Sequence, residues 1–242
     1  MKRMLFVMLI AILFGSITAV AQRPKTVKCT MNSVKKTMNA KNTVANSSQN
    51  TTLVVVDCQY DFCNPQGSLY VPGAEKAVDN VLAYLQSHPN INEVIFTVDW
   101  HNAKDGSFKA QGGPWPPHCI RFSKGSQIDE RLIQACLDKN IPYQVIRKGE
   151  VIETEEYGAF QKITPAVKGK RTLCTMTDKV TSANTNFVIC GVAGDYCVLE
   201  TLKNLLKGGL HVDVYTNGVA SIDKGEKLSS FIKEKNLKVA ND

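Results

Sequence analysis

From residue 52 onward the chain alternates between short unbroken apolar runs and longer stretches with apolar residues at helical spacing. Leu53, Val54, Val55 and Val56 run without a break up to Asp57, the pattern of a strand buried on both faces. Residues 94–98, 143–146, 186–190 and 212–215 repeat that pattern. Between them, Pro72 opens a stretch with Ala77, Val78, Val81, Leu82 and Leu85 on one helical face. Further helices are predicted over residues 128–137, 196–206 and 224–235. Strands and helices in alternation predict an α/β domain, with a mostly parallel sheet covered by helices on both faces. Residues 164–185 are polar, weakly patterned and carry no assigned element.

The polar residues at the strand ends change the picture from fold to chemistry. Ligands of open parallel sheets bind beyond the carboxyl ends of the strands. Asp57 closes the first strand, Asp99 the second and Lys148 the third, and Cys197 follows the fourth. In the run from Val188 to Val198, strand pattern breaks at Gly191 and helical pattern resumes near Asp195, so Cys197 falls on the first turn of a helix. Free backbone N–H groups and the helix dipole there are expected to favour a thiolate and to receive an oxyanion. A buried, inert cysteine is the plain alternative. Asp57, directly behind four apolar residues, is either a functional carboxylate or a loop-bridging one.

A second constellation has metal-ligand spacing. Asp99 and His101 are two residues apart, so in extended backbone their side chains point the same way. His118 follows Pro116 and Pro117, which fix the approach of the chain. One carboxylate and two imidazoles suit a divalent ion at an open site: zinc first, with iron or manganese as alternatives. His88 and His211 have no such neighbours and read as structural.

Composition mainly divides the chain. Lys2 and Arg3, an apolar core from Leu5 to Phe14, and Ala19 and Ala21 at small-residue positions make residues 1–21 a secretory signal peptide, too short for a membrane span. The chain is therefore expected to be exported, periplasmic or secreted, with no stable membrane insertion after cleavage. Residues 22–50 carry six basic residues, no acid and few large apolar side chains, the composition of a disordered linker. Eight of the 29 lysines and arginines precede residue 51, so the rest carries 21 against 22 acids and the whole-chain charge of +7 belongs to the ends. Nucleic acid is accordingly not an expected partner. Residues 51–242 form one domain. Cys29 falls in the linker, and no spacing fixes a pairing among Cys58, Cys63, Cys119, Cys136, Cys174 and Cys190.

Taken together, these residues resemble the nicotinamidases of the isochorismatase-like cysteine hydrolase superfamily. The resemblance rests on Val56-Asp-Cys-Gln-Tyr-Asp-Phe-Cys63, Thr97-Val-Asp-Trp-His101, Ser107-Phe108, Trp115-Pro-Pro-His-Cys119, Arg147-Lys-Gly149, Tyr157-Gly-Ala-Phe160 and Gly191-Val-Ala-Gly-Asp-Tyr-Cys-Val198, in that order. It implies a Rossmann-like three-layer αβα sandwich and hydrolysis of nicotinamide to nicotinate and ammonia through a cysteine thioester. It also implies Cys197 as nucleophile, Asp57 as general base, Lys148 as third catalytic member, and a cis peptide between Val192 and Ala193. Backbone N–H groups of Ala193 and Cys197 then form the oxyanion hole. Asp99, His101 and His118 hold one divalent metal, and Phe62, Trp115 and Tyr157 lie beside the substrate ring. The chain departs from the family at Asp105, where a further metal-binding histidine is common and which is a candidate ligand itself, and at Gly194, where a bulkier residue is usual. Alternative expectations are a related amidohydrolase for another small amide or carbamoyl compound, and a non-catalytic pyridine-binding protein. A homo-oligomer is compatible with either.

Overall fold

The computed structural model describes residues 50–242; the predicted signal peptide and all but the last residue of the predicted linker lie outside them. In chain order the elements are β1 (Thr51–Val56), α1 (Tyr60–Cys63), α2 (Ala74–Ser87), β2 (Ile91–Asp99), α3 (Glu130–Asp138), β3 (Tyr143–Lys148), β4 (Lys162–Ile163), β5 (Arg171–Cys174), β6 (Lys179–Ser182), β7 (Asn186–Gly191), α4 (Cys197–Lys207), β8 (His211–Val219) and α5 (Glu226–Glu234). Five strands form one sheet in the order β3-β2-β1-β7-β8, and every neighbouring pair is parallel.

The pleat of the central strand splits the core into two layers. Leu53 and Val55 pack on one side with Val78, Val81 and Leu85 of α2 and Leu132 of α3. Val54 and Val56 pack on the other with Val198, Leu202 and Leu205 of α4 and Leu228 and Ile232 of α5. All six residues of β1 are buried, which is why it reads as a continuous apolar run and not as an alternation. The result is the three-layer sandwich, with the end of β1 at its centre.

Residues 164–185 depart from their unassigned reading. With β4, they form a three-stranded antiparallel sheet in the order β4-β5-β6. Only Leu173 in β5 and Val180 in β6 are apolar and buried, so the pattern is too sparse to register as strand. This small sheet covers the open edge of β3. Gln144 Nε2 donates to the Thr181 carbonyl (2.6 Å), Arg147 N to Asp178 Oδ2 (3.2 Å) and Thr175 Oγ1 to the Arg147 carbonyl (2.8 Å). The end of β3, where Lys148 sits, is thereby fixed from both sides.

Cys58, Cys63, Cys119, Cys136, Cys174, Cys190 and Cys197 are all free thiols. His88 stacks on Tyr84 (3.7 Å between ring centres), and His211 is largely exposed beside Asp213. Both lie apart from the cluster described next.

Candidate active site and metal cluster

Three adjacent strand ends and one helix start converge as the strand pattern predicts. β1 ends because Asp57 takes a positive φ of 49°, turning its side chain out of the ladder. Asp99 is the last residue of β2 and Lys148 the last of β3, paired in register, while Cys197 is the first residue of α4. Lys148 and Asp57 are both fully buried, and Lys148 Nζ lies 2.8 Å from Asp57 Oδ2. The same ammonium contacts Asp99 Oδ1 and lies 3.5 Å from Cys197 Sγ. Thr97 Oγ1 donates to Asp57 Oδ1 (2.6 Å), fixing the carboxylate from its second oxygen.

Burial alone would discharge every one of these groups, so their charges are set by each other. For Lys148 burial acts downward, but Asp57, Asp99 and Cys197 outweigh it and hold the ammonium well above its usual range. For Asp99 burial acts upward, yet Lys148, His101 and His118 outweigh it, and the carboxyl stays well below its usual range. Asp57 goes the other way, because burial exceeds the pull of Lys148 and Asp99 adds repulsion. Cys197 is pushed well above the usual thiol range by burial, with Asp57 and Asp99 adding to it against Lys148. Burial and the two carboxylates that flank Cys197 thus oppose the thiolate that a helix start favours, and Lys148 supports it. The two neighbouring carboxyls are thus driven apart, Asp99 downward and Asp57 upward.

Asp99 also belongs to the second constellation. Its ligand atom and those of His101 and His118 all lie within 4.8 Å of one another, and all three residues are buried. His101 Nε2 is 3.6 Å and His118 Nε2 3.8 Å from Asp99 Oδ2, the oxygen opposite the one facing Lys148. His118 Nδ1 donates to the Pro116 carbonyl (2.8 Å), which leaves the Nε2 lone pair directed at the cluster. The set of one carboxylate and two imidazoles fits a divalent metal ion. Asp57, Asp99 and Cys197 also lie close enough to share an ion, but the Lys148 ammonium already occupies their centre.

Asp105 does not join the ligand group. Its Oδ2 lies 3.1 Å from His101 Nδ1, on the side of the ring away from Asp99, and its Oδ1 accepts from Ser107 N (3.0 Å). Its position four residues after His101 suited a ligand, but the turn at residues 102–105 carries the carboxylate behind the imidazole. There it steadies the ring: burial acts downward on His101, but Asp99 and Asp105 raise it to about 9. Gly149 backs the same ring, and a Cβ on it would stand 2.6 Å from His101 Cε1.

A narrow cleft opens above the thiol. Phe62, Trp115 and Tyr157 line it as expected, with Asp99, His118, Ala193 and Cys197 at its inner end. Trp115 Nε1 donates to Tyr157 Oη (3.0 Å), and Trp115 meets Tyr196 edge to face at 5.2 Å. Tyr196, Glu155 and Ile222 also line the cleft and were not singled out in the sequence. Tyr196 had a signal, since it precedes Cys197 on the same turn; Ile222 follows β8 in a loop without pattern. The Val192–Ala193 peptide is cis. Val192 is fully buried, and Ala193 turns its carbonyl to Tyr196 N and Val198 N (both 3.1 Å). As first residue of α4, Cys197 has an N–H with no intrahelical acceptor. Gly194 has a local cause, because a Cβ there would stand 2.1 Å from Ser221 Oγ.

A parallel three-layer α/β domain with a buried Cys–Lys–Asp centre beside a carboxylate–dihistidine cluster defines a class of site built for attack on a carbonyl. The chain belongs to the isochorismatase domain family, which matches residues 51–235. It is 30% identical over 190 residues to the nicotinamidase of Escherichia coli, covering 71% of this chain and 83% of that protein. It is 27% identical over 216 residues to the nicotinamidase of Saccharomyces cerevisiae, covering 78% and 96%. Among solved structures it is similar to PnC1 of L. infantum in complex with nicotinate (28% identity, TM-score 0.64, covering 81% of this chain and 94% of that one). It is also similar to the pyrazinamidase of Pyrococcus horikoshii in complex with zinc (26% identity, TM-score 0.60, covering 80% and 99%).

Proposed function

We propose that this protein is an amidohydrolase that converts nicotinamide to nicotinate and ammonia. One observation carries the reading: the Lys148 ammonium touches Asp57, Asp99 and the Cys197 thiol at once, and Asp99 turns its other oxygen to two histidines. A binding protein has no need of a nucleophile with a base beside it. The nicotinamidases among its relatives and the nicotinate complex of a similar structure support the substrate.

In this reading Asp57 takes the proton of Cys197, and the sulfur attacks the carboxamide carbon. The N–H groups of Ala193 and Cys197 receive the oxyanion. Asp57 returns the proton to the departing nitrogen, ammonia leaves, and the acyl group remains on sulfur as a thioester. Water, deprotonated by Asp57, attacks the thioester carbonyl; nicotinate is released and the thiol restored. Lys148 keeps two anions tolerable in a dry site throughout. Asp99, His101 and His118 would hold one divalent ion, and the zinc complex of a similar pyrazinamidase supports zinc. When bound, that ion supplies positive charge and a Lewis-acid anchor for the pyridine nitrogen. Phe62, Trp115 and Tyr157 hold the ring. The leader pattern of residues 1–21 supports action outside the cytoplasm, with the small amide as partner.

Ammonia release from nicotinamide by the zinc-loaded protein, with and without chelator, tests the assignment. Release that chelation suppresses is expected; nicotinamide left intact by the zinc-loaded protein contradicts it.

A further inference from the structure

Asp99 stands two residues beyond the point where β1 stops pairing with β2. The ladder ends with Val56 opposite Thr97, and Asp57 then turns away with its positive φ. On its far side Asp99 is paired with Lys148 of β3, and Trp100 N donates to the Lys148 carbonyl (2.9 Å). On its near side the backbone N–H and C=O of Asp99 have lost their strand partner. Left unpaired in a dry interior, those two groups would each be costly and their peptide planes free to tilt.

The side chain of Gln59 takes the place of the missing strand. Its Oε1 accepts from Asp99 N (2.8 Å) and its Nε2 donates to the Asp99 carbonyl (2.8 Å). The second Nε2 proton goes to the Ser126 carbonyl (3.0 Å), tying in the segment that follows His118. Gln59 is fully buried, and its own carbonyl accepts from Phe62 N and Cys63 N, so its backbone is fixed by α1. A primary amide carries one acceptor and two donors, and all three are used.

Resting on the metal site of the preceding section, we infer that Gln59 is a positioning residue that clamps the Asp99 backbone and so fixes how its carboxylate is shared between Lys148 and the metal. The amide touches neither substrate nor ion. It acts by holding the Asp99 backbone, from which one carboxylate oxygen reaches the ammonium and the other reaches the histidine cluster. No other residue type of similar size offers a donor and an acceptor in one rigid plane at this reach. Glutamate would turn a charged oxygen onto two carbonyls.

The test is a competition titration of Zn²⁺ against a chromophoric chelator, on full-length wild type, Gln59→Leu and Gln59→Asn, with the visible spectrum of the Co²⁺-loaded forms. Gln59→Leu is expected to weaken zinc binding roughly 10- to 100-fold, as losses in the shell behind a metal ligand do, and to change the Co²⁺ bands. Gln59→Asn keeps the groups but falls short by one methylene, and is expected to lie between. A folded variant of either kind with wild-type zinc affinity and an unchanged Co²⁺ spectrum overturns the inference, even if its melting temperature falls. Should Gln59→Leu not fold, Gln59→Asn decides alone. Zinc affinity is read without substrate. A wild type that binds zinc but spares nicotinamide therefore sinks the functional reading and leaves this one to its own result, whereas a wild type that binds no zinc overturns this inference.

Discussion

Lys148 and Asp99 are register partners at the ends of neighbouring parallel strands, and their side chains form a buried ion pair. That pair joins two centres, because the ammonium serves Asp57 and Cys197 while the carboxylate serves His101 and His118. The Cys197 thiol and the carboxylate–dihistidine cluster are thus one electrostatic unit. At their junction one ammonium faces two carboxylates.

Removing the ammonium leaves two buried carboxylates facing each other. Lys148→Met is expected to cost about 3–5 kcal/mol of folding stability, the range for breaking a buried pair from one side. Denaturant titration of the two proteins measures it, and a loss under about 1 kcal/mol would show that Asp57 and Asp99 find other partners.

Asp57 has a raised pKa, so its ionised form is worse off in the fold than in the unfolded chain. Its contribution to stability is present below its ordinary value of 3.8 and is lost as pH rises through the raised value. At neutral pH, Asp57→Asn in chelator-treated protein is therefore expected to melt at or above the wild-type temperature while abolishing turnover. The acid limb of kcat/KM should likewise lie above the ordinary carboxylate range. A markedly lower melting temperature for Asp57→Asn would reverse the sign argued here.

Asp105 supports His101 from behind rather than joining the cluster. Asp105→Ala is expected to weaken zinc binding roughly 10- to 100-fold and to leave kcat nearly unchanged once zinc is saturating. X-ray absorption of the zinc protein gives the complementary check: loss of an oxygen from the zinc shell in the variant would make Asp105 a ligand.

The aromatic wall of the cleft is pinned by one hydrogen bond, from Trp115 Nε1 to Tyr157 Oη. Tyr157→Phe removes it and is expected to cost about 0.5–1.5 kcal/mol in substrate binding, read as a rise in KM with kcat little changed. A drop in kcat at constant KM would instead place Tyr157 Oη in the chemical step.

Much of this was legible because chemistry sits where the pattern changes. Asp57, Asp99, Lys148 and Cys197 each stand at the end of an apolar run or the start of a helix, positions that a parallel sheet must bring to one edge. The surroundings of Cys197 were not legible, since a helix start is visible in sequence but the two carboxylates flanking it come from other strands. The role of Asp105 stayed open for the same reason: spacing says how far a side chain is from His101, not which side of the ring it meets. The β4-β5-β6 sheet escaped because two buried apolar residues suffice to seat it on an existing edge. Gln59 was quoted within a motif but given no role, because its work lies in completing a ladder that only the fold reveals.

The central claim is that Cys197 attacks the carboxamide. Rapid-quench mass spectrometry of the zinc-loaded protein mixed with nicotinamide tests it most directly. The account predicts a transient nicotinoyl adduct on the peptide containing Cys197, formed with release of ammonia and decaying to nicotinate, with neither adduct nor ammonia from Cys197→Ala. Undiminished ammonia release by Cys197→Ala, or an adduct on another residue, would contradict it.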